Sequence, residues 1–99
     1  MEYKLSREEA LAMAKAQLNG MKPPTYKQGR TISFNGKTAI IFKVKAGYPR
    51  ATGENAVMYT LVIRNETGED IFRTNRYDAT VLSTWRKVKE DITYYLGLN

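Results

Sequence analysis

An Asn-Gly pair between two β-prone runs is the feature that most constrains this chain. Asn35-Gly36 follows the run Thr31–Phe34 and precedes the run Lys37–Lys45. A two-residue type I′ turn needs positive φ at both central residues, and Asn-Gly is the pair that adopts this conformation most readily. The sequence therefore predicts an antiparallel β-hairpin in which the chain reverses direction within two residues.

Two more strands are predicted after this hairpin. Residues Ala56–Arg64 form a β-prone run, and Asp70–Thr74 forms a shorter one after the polar turn at 65–69. Segment 46–55 contains two glycines and a proline, which are typical of a loop. Because the connections between successive strands are short, we expect a four-stranded antiparallel meander.

A helix is predicted before the strands. Ser6 and Glu9 have the spacing of a capping box, in which each side chain satisfies a free N–H group of the other residue's backbone. Apolar residues then recur at spacings of three and four, and Gly20 followed by two prolines ends the pattern. The predicted helix runs from about Arg7 to Asn19.

A second helix is predicted at the end of the chain. Asp78 is expected to cap it, and Gly97 is expected to end it. Its apolar stripe consists of Val81, Leu82, Trp85, Val88, Ile92 and Leu96. The predicted fold is therefore α+β: one two-layer domain over residues 1–99 with the order α-β-β-β-β-α, in which the terminal helices cover the sheet.

The residue types present exclude several kinds of catalysis. The chain has no cysteine and no histidine, so thiolate metal sites, disulfides and nucleophilic triads are excluded. Eight of the ten acidic residues fit the first turn of a helix, a polar helix face, a hairpin turn or a cap. The alternatives are a pair of catalytic carboxylates and a Mg²⁺ site at Glu66, Glu69 and Asp70. We expect a protein that is not an enzyme and that carries no cofactor.

The positive charge is concentrated in the first half of the chain. The net charge is +6, and the segment 10–53 contains eight basic residues and no acidic residue. The flanking segments, 1–9 and 54–99, each carry −1. Such asymmetry suggests an anionic partner, most simply a nucleic acid or a nucleoprotein complex. The alternative is that the charge only keeps a small domain soluble.

The alternation of residues along each strand predicts which side chains share a face. If the helices cover the side with Phe42, Tyr59 and Phe72, the other side combines apolar with basic residues. That uncovered side is expected to hold Ile41, Met58, Val62 and Ile71 with Lys43, Lys45, Arg64 and Arg73. A bare face of this kind is an interaction surface. The solvent exposure of Lys43, Met58, Val62 and Arg73 tests this expectation.

Basic and aromatic side chains suited to phosphates and bases give the predicted contact residues. They are Lys37, Lys43, Lys45, Tyr48, Arg50, Met58, Arg64, Arg73, Arg76 and Tyr77. Tyr26, Lys27 and Arg30 supply the same residue types within the acid-free segment. The 46–55 loop, with its tyrosine and arginine, is expected to contribute to binding, although it could equally be a passive connection. Phe34 and Tyr59 are expected in the core.

Several alternatives remain at this stage. A short chain without His or Cys and with this layout is similar to the compact inhibitors and accessory proteins of phages and mobile elements. That similarity implies a protein that blocks a single protein target, such as a host enzyme or a defence complex. A homodimer that stacks two sheet faces, or one helix on each side of the sheet, would also bury the mixed face. We expect a cytoplasmic protein, in its own or a host cell, without a membrane partner.

Overall fold

The chain forms one four-stranded sheet flanked in sequence by two helices. A computed structural model describes residues 4–49, 51, 53 and 55–99, without the side chains of 46–48. The elements are α1 (Arg7–Gly20), β1 (Arg30–Phe34), β2 (Lys37–Pro49), β3 (Asn55–Arg64), β4 (Asp70–Tyr77) and α2 (Leu82–Leu96). The sheet is antiparallel with the strand order β1-β2-β3-β4. The predicted α-β-β-β-β-α fold is confirmed.

Helix α1 begins where the capping box predicts. Ser6 Oγ accepts a hydrogen bond of 3.1 Å from the Glu9 backbone N–H and lies 3.3 Å from the Glu9 carboxylate. A cap of this kind stabilises a helix by about 1 kcal/mol. Only Ala14 and Leu18 of α1 are buried, so the helix packs through a narrow stripe.

The predicted hairpin is also confirmed. Asn35 and Gly36 have φ values of 59° and 77°, as a type I′ turn requires. Phe34 therefore lies opposite Lys37, and the register continues with Ile32 opposite Ala39.

Strand β2 is longer than predicted. It continues to Pro49, and β3 begins at Asn55, so residues 46–49 belong to a strand and not to a loop. The register changes between Lys45 and the pair Pro49–Asn55. An irregularity of this kind lets a strand continue through glycine and proline, which would otherwise interrupt the ladder.

The turn between β3 and β4 is organised by Asn65. Its Oδ1 accepts hydrogen bonds from the backbone N–H groups of Thr67 and Glu69, each 3.0 Å long. Strand β4 then extends three residues beyond the predicted end at Thr74, because Tyr77 still pairs with Met58 of β3.

The start of α2 differs from the prediction. Asp78 Oδ1 accepts hydrogen bonds from the N–H and the hydroxyl of Thr80, at 3.0 and 2.8 Å, and so closes a turn before the helix. Helix α2 begins at Leu82 after Val81, which makes no side-chain cap. Val81 and Leu82 are exposed and lie outside the core, whereas the remaining predicted stripe is buried. Gly97, with φ 73°, ends the helix as predicted.

One core joins both helices to a single face of the sheet. The buried strand residues of this core are Ile32, Phe34, Ala39, Ile41, Tyr59, Leu61 and Ile63. Cross-strand pairing places all of them on the same side, which we call the inner face. They pack with Ala14 and Leu18 of α1 and with Trp85, Val88 and Ile92 of α2. The protein therefore has two layers, and the opposite side of the sheet is the outer face.

The predicted assignment of faces is wrong for β2. Ile41 is fully buried on the inner face, and Lys37, Lys43 and Lys45 share its side of the strand. The reason is the strand register, which places Ala39 opposite Ile32 across the hairpin and Ile41 opposite Leu61 of β3. The alternate residues Ile40, Phe42 and Val44 lie on the outer face instead.

Candidate anion-binding interface

Two of the predicted contact residues, Lys43 and Lys45, lie in the half of β2 far from the hairpin turn. The segment before β1 is fastened beside them: Tyr26 forms a parallel bridge with Lys43. The backbone N–H of Lys27 donates a hydrogen bond of 2.7 Å to the Lys43 carbonyl. These backbone contacts place the side chains of Tyr26 and Lys27 next to those of the two strand lysines.

The two lysines nearest Tyr26 surround its ring. The Nζ atoms of Lys27 and Lys45 each lie 5.4 Å from the centre of the Tyr26 ring. Both distances are within the range of a cation–π interaction. The two ammonium groups are therefore no farther apart than twice this distance. We call Tyr26, Lys27, Lys43 and Lys45 the Tyr26 cluster.

The backbone at Lys27 is held in an unusual conformation. Its φ of 60° lies in the left-handed region, which non-glycine residues seldom adopt. Such a conformation costs on the order of 1 kcal/mol and persists only where neighbouring contacts impose it. The hydrogen bond to Lys43 and the turn closed by Gln28 N–H on the Thr25 carbonyl, at 2.9 Å, are those contacts.

The charges of the cluster have no anionic partner among the described residues. Within the part of the chain that the structure describes, none of its three lysines forms an ion pair. Tyr26 is 48% exposed, so its ring is open to solvent. Like charges this close repel each other, because their separation is comparable with the screening length of about 8 Å at physiological salt.

Arg30 adds to the positive charge beside the cluster. Arg30 is the first residue of β1 and lies on the inner face, opposite Ile41 of β2, which is two positions from Lys43. Its Nε atom is buried and has no hydrogen-bond partner among the described residues. A buried donor without a partner is unfavourable by about 1–3 kcal/mol.

Three other predicted contact residues have structural partners. Lys37 Nζ donates a hydrogen bond of 3.2 Å to the Tyr95 carbonyl near the end of α2. Arg76 lies on the inner face and forms a bidentate ion pair with Asp91 of α2, with N–O distances of 2.9–3.1 Å. Arg64 pairs with Asp70 at 2.9 Å. Lys37 and Arg76 therefore lie on the inner face and contact α2, apart from the cations of the outer face.

The remaining described contact residues lie on the outer face. Arg73 pairs with Val62, and Tyr77 pairs with Met58. On this face Arg73 is exposed, Met58 is half-buried, and Val62 is only 3% exposed although the helices pack on the other side of the sheet. Lys43, which was expected beside them, is half-buried on the inner face. Arg50 and the side chain of Tyr48 lie outside the described residues.

The outer face is more apolar than the sequence predicts. Ile40, Phe42 and Val44 occupy the places assigned to lysines. Phe42 lies against the backbone of Gly29, where an added Cβ atom would be 3.1 Å from the ring. The apolar stripe of this face is therefore partly shielded by its own neighbours.

The remaining titratable chemistry is modest. Burial raises the pKa of the Tyr59 phenol above its ordinary value. Within residues 4–49, 51, 53 and 55–99, no three His, Cys, Asp or Glu side chains are grouped to hold a metal ion. In the same part of the chain, no helix has the length and apolar character needed to cross a bilayer.

No family model, curated protein or solved structure matches this chain. The candidate interface is therefore defined by its own geometry. Its centre, Tyr26 and Lys27, was noted for its residue types in the acid-free segment but was not among the predicted contact residues. The signal that could have found it is the position of an aromatic-lysine pair just ahead of a hairpin whose second strand carries two lysines.

Proposed function

We propose that this protein binds a nucleic acid, alone or within a nucleoprotein complex, through the Tyr26 cluster. The observation that carries the proposal is the placement of two ammonium groups around one exposed tyrosine ring, with neither lysine in an ion pair among the described residues. Lys43 and Arg30 extend the positive charge along the same face of the sheet.

Phosphate groups would reduce the repulsion between the lysine ammonium groups of the cluster. Each phosphate that meets a lysine releases condensed counterions, which favours binding at low salt. An exposed tyrosine ring also offers a surface on which a base can stack, and such stacking contributes about 1–3 kcal/mol per base. Cations and an aromatic ring together match the two parts of a nucleotide.

Titration of a fluorescent single-stranded oligonucleotide of mixed sequence, followed by anisotropy, tests the proposal. The double variant Lys27→Ala with Lys45→Ala should bind at least about tenfold more weakly, which corresponds to about 1.4 kcal/mol. The matched control is Arg86→Ala with Lys87→Ala, which removes the same charge from exposed positions on α2.

The control distinguishes a site from a general charge effect. If both double variants lose affinity equally, only the net charge of the domain attracts the nucleic acid. If the wild-type protein does not bind the oligonucleotide at low salt, the proposal is wrong.

A second candidate function is a protein–protein inhibitor or adaptor that blocks an enzyme or a defence complex of a host cell. The apolar stripe on the outer face, with Ile40, Val44 and Met58 beside the exposed Arg73, favours it. The partner would present an apolar patch next to an acidic group, because Arg73 needs a counter-charge.

Charge introduction on the outer face separates the two candidates. Met58→Glu should abolish a nuclease-resistant complex with a protein partner and leave oligonucleotide affinity unchanged. Self-association that the variant removes would identify a homodimer instead. Retention of every complex by the variant would exclude this face as a binding surface.

A further inference from the structure

A groove separates α1 from the edge strand β1 at the hairpin-turn end of the sheet. Its volume is about 420 Å³, and both apolar and polar side chains line it. Ala10 and Ala14 of the helix face the groove, and these small side chains leave the space open. Phe34 and the exposed side chains of Leu5 and Met13 supply apolar surface.

The backbone of β1 directs groups that do not pair with β2 toward this groove. In a two-residue hairpin the pair next to the turn, here Phe34 and Lys37, exchanges hydrogen bonds, and the pairs then alternate. Ser33 and Thr31 therefore direct their N–H and C=O groups away from β2. The contact between Gln17 Nε2 and the Thr31 carbonyl, 3.3 Å long, agrees with this direction. In the part of the chain that the structure describes, Ser33 has no corresponding backbone partner on the open side.

A cation lies at the turn end of the groove. The Arg7 guanidinium is 5.5 Å from the centre of the Phe34 ring, and its Nη1 atom is 3.4 Å from Asn35 Oδ1. No carboxylate pairs with Arg7 among the described residues. The groove thus combines a strand edge not paired with another strand, an apolar floor and a guanidinium without a carboxylate partner among the described residues.

We infer that this groove binds an extended peptide segment of another protein, which pairs with the open edge of β1 at Ser33 and places a carboxylate against Arg7. Strand addition of this kind obtains affinity from main-chain hydrogen bonds and specificity from pockets for alternate side chains. A side chain beside the carboxylate would rest on Phe34. Five residues of β1 span about 17 Å, so about five peptide residues would fill the edge.

The chemistry favours a peptide over other occupants. Outward N–H and C=O groups at strand spacing are matched by another extended backbone, whereas a lipid chain would leave them unpaired. The open edge carries Thr31 and Ser33 and ends at the hairpin turn, while the Tyr26 cluster lies before β1 begins. The peptide site is therefore separate from the proposed nucleic-acid site.

Selection from a random heptapeptide display library, with the full chain as bait, tests the inference. The enriched peptides should combine alternating apolar residues with an Asp, a Glu or a free C-terminal carboxylate. On addition of an enriched peptide, the amide of Ser33 should exchange more slowly with deuterium, because a new strand would bond to it. The absence of an enriched peptide family would overturn the inference.

Two variants of the groove sharpen this experiment. Ser33→Pro removes the outward N–H, which an edge strand tolerates, together with the hydroxyl contact to Thr38, and should weaken peptide binding at least about tenfold. Arg7→Gln should weaken acidic peptides by a similar factor, whereas the matched control Arg86→Gln on α2 should not. Equal affinity of the wild-type, Ser33→Pro and Arg7→Gln proteins would contradict strand pairing. If Ser33→Pro does not fold, the comparison of Arg7→Gln with Arg86→Gln decides.

Discussion

Lys37 and Lys45 lie on the same strand and on the same face of the sheet, but in different surroundings. Near the hairpin turn, the Lys37 ammonium group is held by the Tyr95 carbonyl of α2. Eight residues farther along β2, the Lys45 ammonium group shares a tyrosine ring with a second lysine and has no acidic partner among the described residues. Near the hairpin turn, the lysine binds the end of a helix. Farther along β2, the lysines have no acidic partner among the described residues, and we propose that they bind a ligand.

The comparison shows that charge alone does not identify a binding residue. Arg76 carries the same positive charge as each lysine of the Tyr26 cluster, but it forms an ion pair with Asp91 within the domain. A cation becomes a candidate contact where the fold supplies no counter-charge. The following predictions test this division, from the largest expected effect to the smallest.

Arg76→Ala should lower the free energy of unfolding by about 2 kcal/mol, because charged hydrogen bonds are lost and Asp91 remains half-buried without a partner. Urea denaturation measures the change. A double-mutant cycle with Asp91→Asn should show that the two losses are not additive. An unchanged midpoint for Arg76→Ala would show that the ion pair does not attach α2 to β4.

Tyr26→Ala should weaken single-stranded oligonucleotide binding by about 1–2 kcal/mol, because a stacking surface and the anchor of two lysines are lost. Its effect on stability should be small, since the ring is about half exposed. Tyr26→Phe keeps the ring and serves as the control. Equal affinity of the alanine and phenylalanine variants would exclude stacking.

Lys37→Ala should lower the free energy of unfolding by about 1 kcal/mol without changing oligonucleotide affinity, because a carbonyl at the end of α2 loses its donor. Lys45→Ala should have the opposite pattern, with lower affinity and unchanged stability. Thermal unfolding and anisotropy measure the two quantities. The same pattern for both variants would remove the distinction between the two halves of β2.

The smallest effect is expected from pH, and it concerns the covered region. Burial raises the pKa of Tyr59 in the folded protein, so folding favours the neutral phenol. This contribution is fully present below the unfolded pKa of about 10 and is lost as the pH rises through the folded value. Denaturation at increasing pH should show a steeper alkaline loss for the wild type than for Tyr59→Phe. Parallel curves would show that Tyr59 does not titrate on unfolding.

The sequence is sufficient for the fold because its local signals agree with one another. The Asn35-Gly36 turn and the Ser6 cap each predict structure that the chain adopts. The faces of β2 are harder to assign, since Ala39–Phe42 is apolar at every position and its alternation is ambiguous. The hairpin register contains the answer: a two-residue turn that pairs Phe34 with Lys37 also places Ala39 and Ile41 on the inner face.

The candidate site was less predictable because it depends on contacts between distant segments. Tyr26 and Lys43 are brought together by a bridge outside the main strands, which no local pattern indicates. The pairing of Arg76 with Asp91 depends on where α2 begins, and the turn at Asp78 moves that start from the predicted position. Residue types could therefore be predicted, but not which of them would keep their charge unpaired.

The salt dependence of oligonucleotide affinity tests the central claim most directly. The logarithm of the binding constant falls linearly with the logarithm of the salt concentration, and each lysine–phosphate contact to a single strand contributes about 0.7 to the steepness of this fall. If the lysines of the Tyr26 cluster contact phosphates, removing Lys27 and Lys45 together should make the fall shallower by about 1.4. The slope for Arg86→Ala with Lys87→Ala should equal that of the wild type. Equal slopes for the wild type and the Lys27 and Lys45 double variant would contradict the account.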